Sequence, residues 1–143
     1  MCEAPGGVLV FEGKRFRLIR AQEQGFPAFY RLVWSEHVSE FSDLGSGDRG
    51  LCMDAVAQVE RVLRARLQPA KINLAALGNA VAHLHWHIVA RFEWDSHFPG
   101  AVWAAPQRAA PPERLAAIER LRPKLESDLA QTLAKGAGNA EPP

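Results

Sequence analysis

Three histidines recur at every second position in the stretch GNAVAHLHWHIVARF, which runs from Gly78 to Phe92. They are His83, His85 and His87. Alternate side chains of a β-strand point to opposite faces, so this spacing places the three imidazoles on one face. A neutral imidazole can attack phosphorus, and its neighbours can donate hydrogen bonds to phosphate oxygens. The same three rings could instead bind zinc and leave one coordination position open for water.

The opposite face of this segment is wholly apolar. It consists of Ala82, Leu84, Trp86, Ile88 and Ala90. An apolar face that packs into a core fixes the register of the strand, so the histidine face must look into a cleft, a partner or solvent. A lone histidine on a strand is usually structural, whereas this strict alternation favours a functional role.

The residues that precede the histidines favour an anion over a cation. Gly78 and Asn79 can present backbone N–H groups and a side-chain amide beside the imidazoles. A metal site commonly adds a carboxylate, but Glu93 and Asp95 lie beyond the histidine segment. We therefore expect phosphate chemistry at the histidines and no metal bound by the protein itself.

The elements that position these residues can be read from the periodicity of the chain. Alternating and branched residues predict strands at Val8–Phe11, Phe16–Ala21, Ala28–Trp34, residues 71–78 and residues 82–92. Apolar residues at three- and four-residue spacing from Cys52 to Leu67 predict a long helix, capped near Ser46–Asp48 and ended by Pro69. This order predicts an α+β fold with an antiparallel sheet of about five strands and one long helix on one face.

The C-terminal third predicts a helix that carries a proline. Leucines and Ile118 repeat along residues 115–133, and Pro123 should kink this helix or split it in two. We assign residues 1–107 to the main domain, residues 108–135 to a C-terminal helical extension, and residues 136–143 to a disordered tail.

Composition excludes several classes of function. The 143 residues contain 17 Lys and Arg against 16 Asp and Glu, so bulk positive charge does not attract nucleic acid or an anionic membrane. Cys2 and Cys52 form neither a disulfide framework nor a metal-binding pair, which predicts reduced thiols. With no signal peptide and no membrane-spanning run evident, we expect a cytoplasmic domain.

The motif His83-Leu84-His85-Trp86-His87 resembles the signature of the histidine triad (HIT) superfamily of nucleotide hydrolases and transferases. The similarity extends over PAFYRLVWSEHVSEFSDL and KINLAALGN, and covers roughly residues 8–103. The stretch from Ile72 to Trp103 is similar to bacterial HIT proteins of the diadenosine tetraphosphate hydrolase type.

The resemblance implies a role for each matching residue. His85 would be the nucleophile that forms a nucleotidyl-histidine intermediate at the α-phosphorus. His87 would hydrogen-bond the phosphate or bridging oxygen, and His83 would support the network behind the nucleophile. The resemblance places the substrate phosphates against Gly78, Asn79 and Ala80, and it gives Asn73 the role of assisting the leaving group.

The chain also departs from the family pattern. Many members carry a fourth histidine on the earlier strand, where this chain has Phe29, so His83 should lack that partner. A serine common in the family is Ala80 here. His37 aligns with an exposed histidine, to which we assign no catalytic role, and His97 is interpreted as a surface-loop residue.

Together the residues and the resemblance predict a nucleotide hydrolase or nucleotidyl transferase that cleaves a P–O–P bond of a dinucleoside polyphosphate. The alternatives are a nucleoside phosphoramidate hydrolase, a catalytically weak nucleotide-binding module, and a three-histidine metal protein. The nucleophile needs no cofactor, although a divalent metal on the substrate phosphates is compatible with it. The resemblance further implies a homodimer, and we expect neither nucleic acid nor a membrane as partner.

Overall fold

The computed structural model describes residues 6–138. Its elements, in chain order, are β1 (Val8–Glu12), β2 (Phe16–Arg20), β3 (Phe29–Trp34), α1 (Ser46–Leu67), β4 (Lys71–Ala75), β5 (His85–Arg91) and α2 (Pro112–Gly138). A short 3-10 helix at Phe41–Asp43 precedes α1.

The strands form one five-stranded antiparallel sheet in the order β1-β2-β3-β5-β4. Strand β5 therefore lies between β3 and β4, although β4 precedes it in the chain. This confirms the predicted α+β fold, with the histidine strand in the interior of the sheet, where both of its edges are hydrogen-bonded.

Both helices cover the same face of the sheet. The buried residues of α1 follow the three- and four-residue spacing of a helix face, and they are Cys52, Ala55, Val56, Val59, Leu63 and Leu67. They share one core with Ile118, Leu125, Leu129 and Leu133 of α2 and with Leu18, Tyr30, Leu32 and Ile88 of the sheet. The other face of the sheet carries the histidines and a second apolar cluster, which consists of Ala21, Phe26, Phe29, Val89 and Val102.

The ends of α1 follow from local backbone chemistry. Its N-cap is Gly45, so the helix begins slightly earlier than the predicted cap at Ser46–Asp48, and Asp48 lies in the first turn, where it pairs with Arg15. At the other end Gln68 adopts a left-handed conformation with φ of 48°, and its N–H donates to the Arg64 carbonyl. Pro69 then prevents continuation of the helix, as predicted.

Helix α2 runs unbroken from Pro112 to Gly138, with Pro123 inside it. The sequence predicted that Pro123 would either kink this helix or split it in two. The helix is not split. Residues 136–138, assigned from the sequence to the tail, are the last turn of this helix, and residues 139–143 lie outside the described residues. None of the helices within residues 6–138 has the length and apolar character needed to cross a membrane.

Candidate active site

The register of the sheet places two of the histidines opposite β3. His85 pairs with Val33 and His87 with Arg31. The ladder begins at His85 rather than at Ala82 as predicted, and His83 lies just before it. The three imidazoles are buried, with 3%, 6% and 6% of their surface exposed for His83, His85 and His87.

The His85 ring is oriented by the backbone. Its Nδ1 lies 2.6 Å from the carbonyl oxygen of His83. A carbonyl can only accept, so Nδ1 carries the proton and the neutral ring keeps a lone pair on Nε2. Burial lowers the pKa of His85; the His83 carbonyl opposes this and the positive charge of Arg31 adds to it. The result is a neutral imidazole with a free nucleophilic nitrogen at neutral pH.

The His83 ring is held by two neighbours. Its Nε2 lies 2.7 Å from the Trp34 carbonyl, to which it donates, and its Nδ1 lies 3.2 Å from Nδ1 of His37. His83 has no histidine partner at position 29, where the chain has Phe29, and His37 provides a histidine contact from the loop after β3 instead. His37 is exposed on the loop after β3, yet its ring meets the buried triad.

The His87 ring lies among other rings and one cation. The His85 ring centroid is 4.8 Å from it, that of Phe29 is 5.5 Å away and that of Trp103 is 5.2 Å away, all in edge-to-face geometry. Arg31 Nε lies 3.4 Å from His87 Nδ1. Burial, with help from His85 and Arg31, lowers the pKa of His87 to about 4. His87 is thus also neutral at pH 7.

A cleft of about 210 Å³ opens beside His83 and His85. Gly78 lines it and adopts a φ of 95°, a left-handed conformation that favours glycine. The other residues that line this cleft are Ser39, Glu40, Phe41, Ala76, Leu77, Leu84 and Trp86. The predicted phosphate residues Asn79 and Ala80 lie on the same turn and are exposed. The structure therefore brings Gly78 to the histidines and leaves the next two side chains at the surface.

Asn73, to which the resemblance gives the role of assisting the leaving group, makes its described side-chain contact with Arg91. It pairs with Val89, and its Oδ1 accepts a hydrogen bond of 2.7 Å from Arg91. Arg91 is 2% exposed and forms a buried ion pair with Asp95. The described contact of Asn73 therefore belongs to this network.

The three histidines do not fit a shared metal ion. Both ring nitrogens of His83 already contact neighbours, and Nδ1 of His85 is bonded to the backbone. Within residues 6–138, no group of three or more His, Cys, Asp or Glu side chains is arranged to hold a metal.

Two residues near the triad were given no role in the chemistry from the sequence: Arg31 and His37. Arg31 lies in the strand FYRLVW, where alternation with Phe29 and Val33 already places it on one face, so this signal was available. The contacts of His37 and Trp103 depend on loop paths. His97, interpreted as a loop residue, packs against Phe26 and hydrogen-bonds Ser96.

Comparison with known proteins identifies a family for this chain. The HIT domain family model matches residues 4–94, well over half of the chain. No curated protein shows a significant sequence match.

Solved structures share the fold. A histidine triad protein from Bradyrhizobium japonicum is 28% identical with a TM-score of 0.68, and the match covers 84% of this chain and 91% of that one. A histidine triad protein from Sinorhizobium meliloti 1021 is 23% identical with a TM-score of 0.69, covering 87% of each chain. A Zn-bound histidine triad family protein from Mycobacterium smegmatis is 18% identical with a TM-score of 0.53, covering 97% and 91%.

Proposed function

The chain belongs to the HIT domain family, and from that premise we propose that it is a nucleotide hydrolase acting through a nucleotidyl-histidine intermediate. The proposed substrates are dinucleoside polyphosphates of the diadenosine tetraphosphate type. The observation that carries this proposal is the 2.6 Å contact between His85 Nδ1 and the His83 carbonyl, which leaves Nε2 free to attack.

In the first step, Nε2 of His85 attacks the α-phosphorus. A phosphorus–nitrogen bond forms as the bridging phosphorus–oxygen bond breaks, and the electron pair leaves with the oxygen of the departing nucleotide. In the second step, water attacks the same phosphorus and loses a proton to solvent, while the P–N electron pair returns to His85. The products are a nucleoside monophosphate and the departing nucleotide.

His87 and Gly78 would stabilise the charge that develops in these steps. A neutral His87 whose Nδ1 accepts from Arg31 carries its proton on Nε2, and it can donate that proton in a hydrogen bond to a phosphate or bridging oxygen. Gly78 lies on the cleft in a conformation that favours close approach of a ligand to the backbone.

The test measures both the release of labelled product and the formation of an adduct on His85. Metal-free protein is incubated with a dinucleoside polyphosphate labelled at the α-phosphate. We expect release of labelled monophosphate and an acid-labile adduct on His85. Both should be lost in His85→Asn, with turnover reduced at least about 1,000-fold because the nucleophile is gone. His97→Asn is the matched control, since the described contacts of the His97 ring are with Phe26 and Ser96 rather than with the triad, and it should keep activity.

Other outcomes would replace the proposal. Saturable binding with no product indicates a binding module. If the protein turns over a nucleoside phosphoramidate faster than a dinucleoside polyphosphate, it is a phosphoramidase. Activity that disappears on chelation and returns only with zinc contradicts nucleophilic attack by a free imidazole.

A further inference from the structure

Arg31 is the charged residue that the sheet places directly across from His87. The two are register partners on β3 and β5, and Arg31 Nε lies 3.4 Å from His87 Nδ1. An arginine side chain offers only donors, so this contact requires an unprotonated Nδ1.

The guanidinium of Arg31 is itself held in place. Its Nη2 donates to Glu23 Oε1 at 2.8 Å, and its Nη1 donates to the Gly6 carbonyl at 3.2 Å. The group also lies 5.3 Å from the centre of the Phe29 ring, and only 17% of the side chain is exposed. These contacts restrict the direction in which Nε–H can point.

From this geometry we infer that Arg31 is a positioning residue for His87, holding it in the tautomer that donates from Nε2. The role given to that donor, contact with a phosphate oxygen, rests on the proposed function. Without Arg31, the proton can move to Nδ1, and a lone pair on Nε2 would then face the anionic substrate. Arg31 therefore acts through His87, because it determines which ring nitrogen of His87 carries the proton.

The other groups that face His87 do not supply this hydrogen bond. Phe29 and Trp103 present ring edges or faces, and His85 on the same strand packs edge-to-face. Glu23, from the segment between β2 and β3, reaches Arg31 rather than His87. Phe29 lies on the same face as Arg31 and has no hydrogen-bond donor, so the polar contact with His87 comes from Arg31.

The first measurement is the position of the proton in the ligand-free protein. Long-range ¹H–¹⁵N spectra of ¹⁵N-histidine-labelled protein distinguish protonated from unprotonated ring nitrogens. We expect His87 to be protonated on Nε2 in the wild type, and to become a mixture of tautomers in Arg31→Met. Arg31→Lys keeps a cation at this site and should give an intermediate result. A fixed tautomer in Arg31→Met that matches the wild type would overturn the inference.

Arg20→Met is the matched control. Arg20 is a strand arginine that is 16% exposed and paired with Glu126, so its loss removes a comparable ion pair. It lies on the opposite face of the sheet, where Glu126 of α2 also lies, and the His87 tautomer should not change. If Arg20→Met shifts the tautomer as much as Arg31→Met, the effect is general destabilisation and the inference fails.

The second measurement is kinetic. In Arg31→Met we expect kcat to fall by about 10-fold or more while KM changes less than about 2-fold, because a donor used in the transition state is lost. A raised KM with unchanged kcat would show that Arg31 binds substrate directly and would overturn the positioning role. The spectra need no substrate, so a wild type without turnover would refute the proposed function and leave the tautomer result standing.

Discussion

Burial is the main reason that the two histidines of strand β5 stay neutral. It is the largest cause of the lowered pKa of both His85 and His87, and the positive charge of Arg31 acts in the same direction. A neutral His85 is a nucleophile, whereas a protonated ring has no lone pair to use. Burial thus keeps both rings in the neutral form that the proposed mechanism requires.

The low pKa of His87 makes the folded protein less stable in acid, and this loss of stability can be measured. The pKa of His87 is about 4 in the folded protein and 6.5 ordinarily. Between these values the unfolded chain binds a proton that the folded chain does not, so stability falls as pH decreases from about 6.5 to about 4. His87 alone contributes up to about 3 kcal/mol to this loss, and His85 adds to it in the same direction.

Urea unfolding of the wild type and His87→Gln at pH 7.5 and pH 4.5 tests this linkage. The variant should lose less stability than the wild type between the two values. A comparison of pH 7.5 with pH 8.5, where His87 does not titrate, provides the control. Equal losses in both proteins across the acid range would show that His87 has an ordinary pKa.

At the scale of single residues, the sequence predicted which histidines lie together but not all of the residues that they contact. The alternation of His83, His85 and His87 was enough to place them on one side of the chain. The contact between His37 and His83 joins positions 46 residues apart, and it depends on how a loop returns to the sheet. Such a contact leaves no periodic signal in the sequence.

Among the elements, the segment between β5 and α2 is fixed by one buried carboxylate. Asp95 is 1% exposed; it accepts two hydrogen bonds from Arg91, and its oxygens also accept from the backbone N–H groups of Phe92, His97 and Phe98. Burial raises the pKa of Asp95, but these hydrogen bonds outweigh it and the net pKa is lowered. The same segment carries Trp103 to the His87 ring.

We expect Asp95→Asn to destabilise the protein by about 3 kcal/mol or more, because it leaves the Arg91 guanidinium buried without its counter-ion. Glu36→Gln is the control, since Glu36 is 67% exposed in its ion pair with Arg15 and its loss should cost less than about 1 kcal/mol. Chemical denaturation gives both values. A cost for Asp95→Asn as small as that of the control would show that water reaches Arg91.

The strands and helices themselves were largely predictable because their patterns are local. Residues Cys52–Leu67 show helical spacing whatever surrounds them. The end of the predicted β4 at residue 78 was too late, since pairing stops at Ala75 and Gly78 turns the chain. The order of strands, with β5 inserted between β3 and β4, depends on long-range pairing and was not specified by the pattern.

Across the whole molecule, the sheet has two unequal edges. The ladder between β1 and β2 is interrupted by an irregularity between Leu9 and Phe11, a feature that discourages further pairing. The ladder of β4 is regular, and its Leu74 is 38% exposed on the outer strand. We therefore predict that the implied homodimer forms at the β4 edge.

Light scattering during size-exclusion chromatography tests the dimer. The wild type should have about twice the mass of one chain, and Leu74→Glu should shift it towards monomer at micromolar concentration, because a charge at the edge opposes association. Leu121→Glu is the matched control, as Leu121 is 48% exposed on α2, and it should leave the mass unchanged. A monomeric wild type, or equal effects of both variants, would contradict this interface.

The atom that orients His85 is a backbone carbonyl, and this affects how the site can change over evolution. No exchange of the side chain at position 83 removes that oxygen, so the tautomer of His85 is protected from most single substitutions. The ring of His87 depends on the side chain of Arg31, which one substitution can remove. A single substitution of Arg31 can therefore disturb the tautomer of His87, whereas the tautomer of His85 does not depend on the identity of a neighbouring side chain.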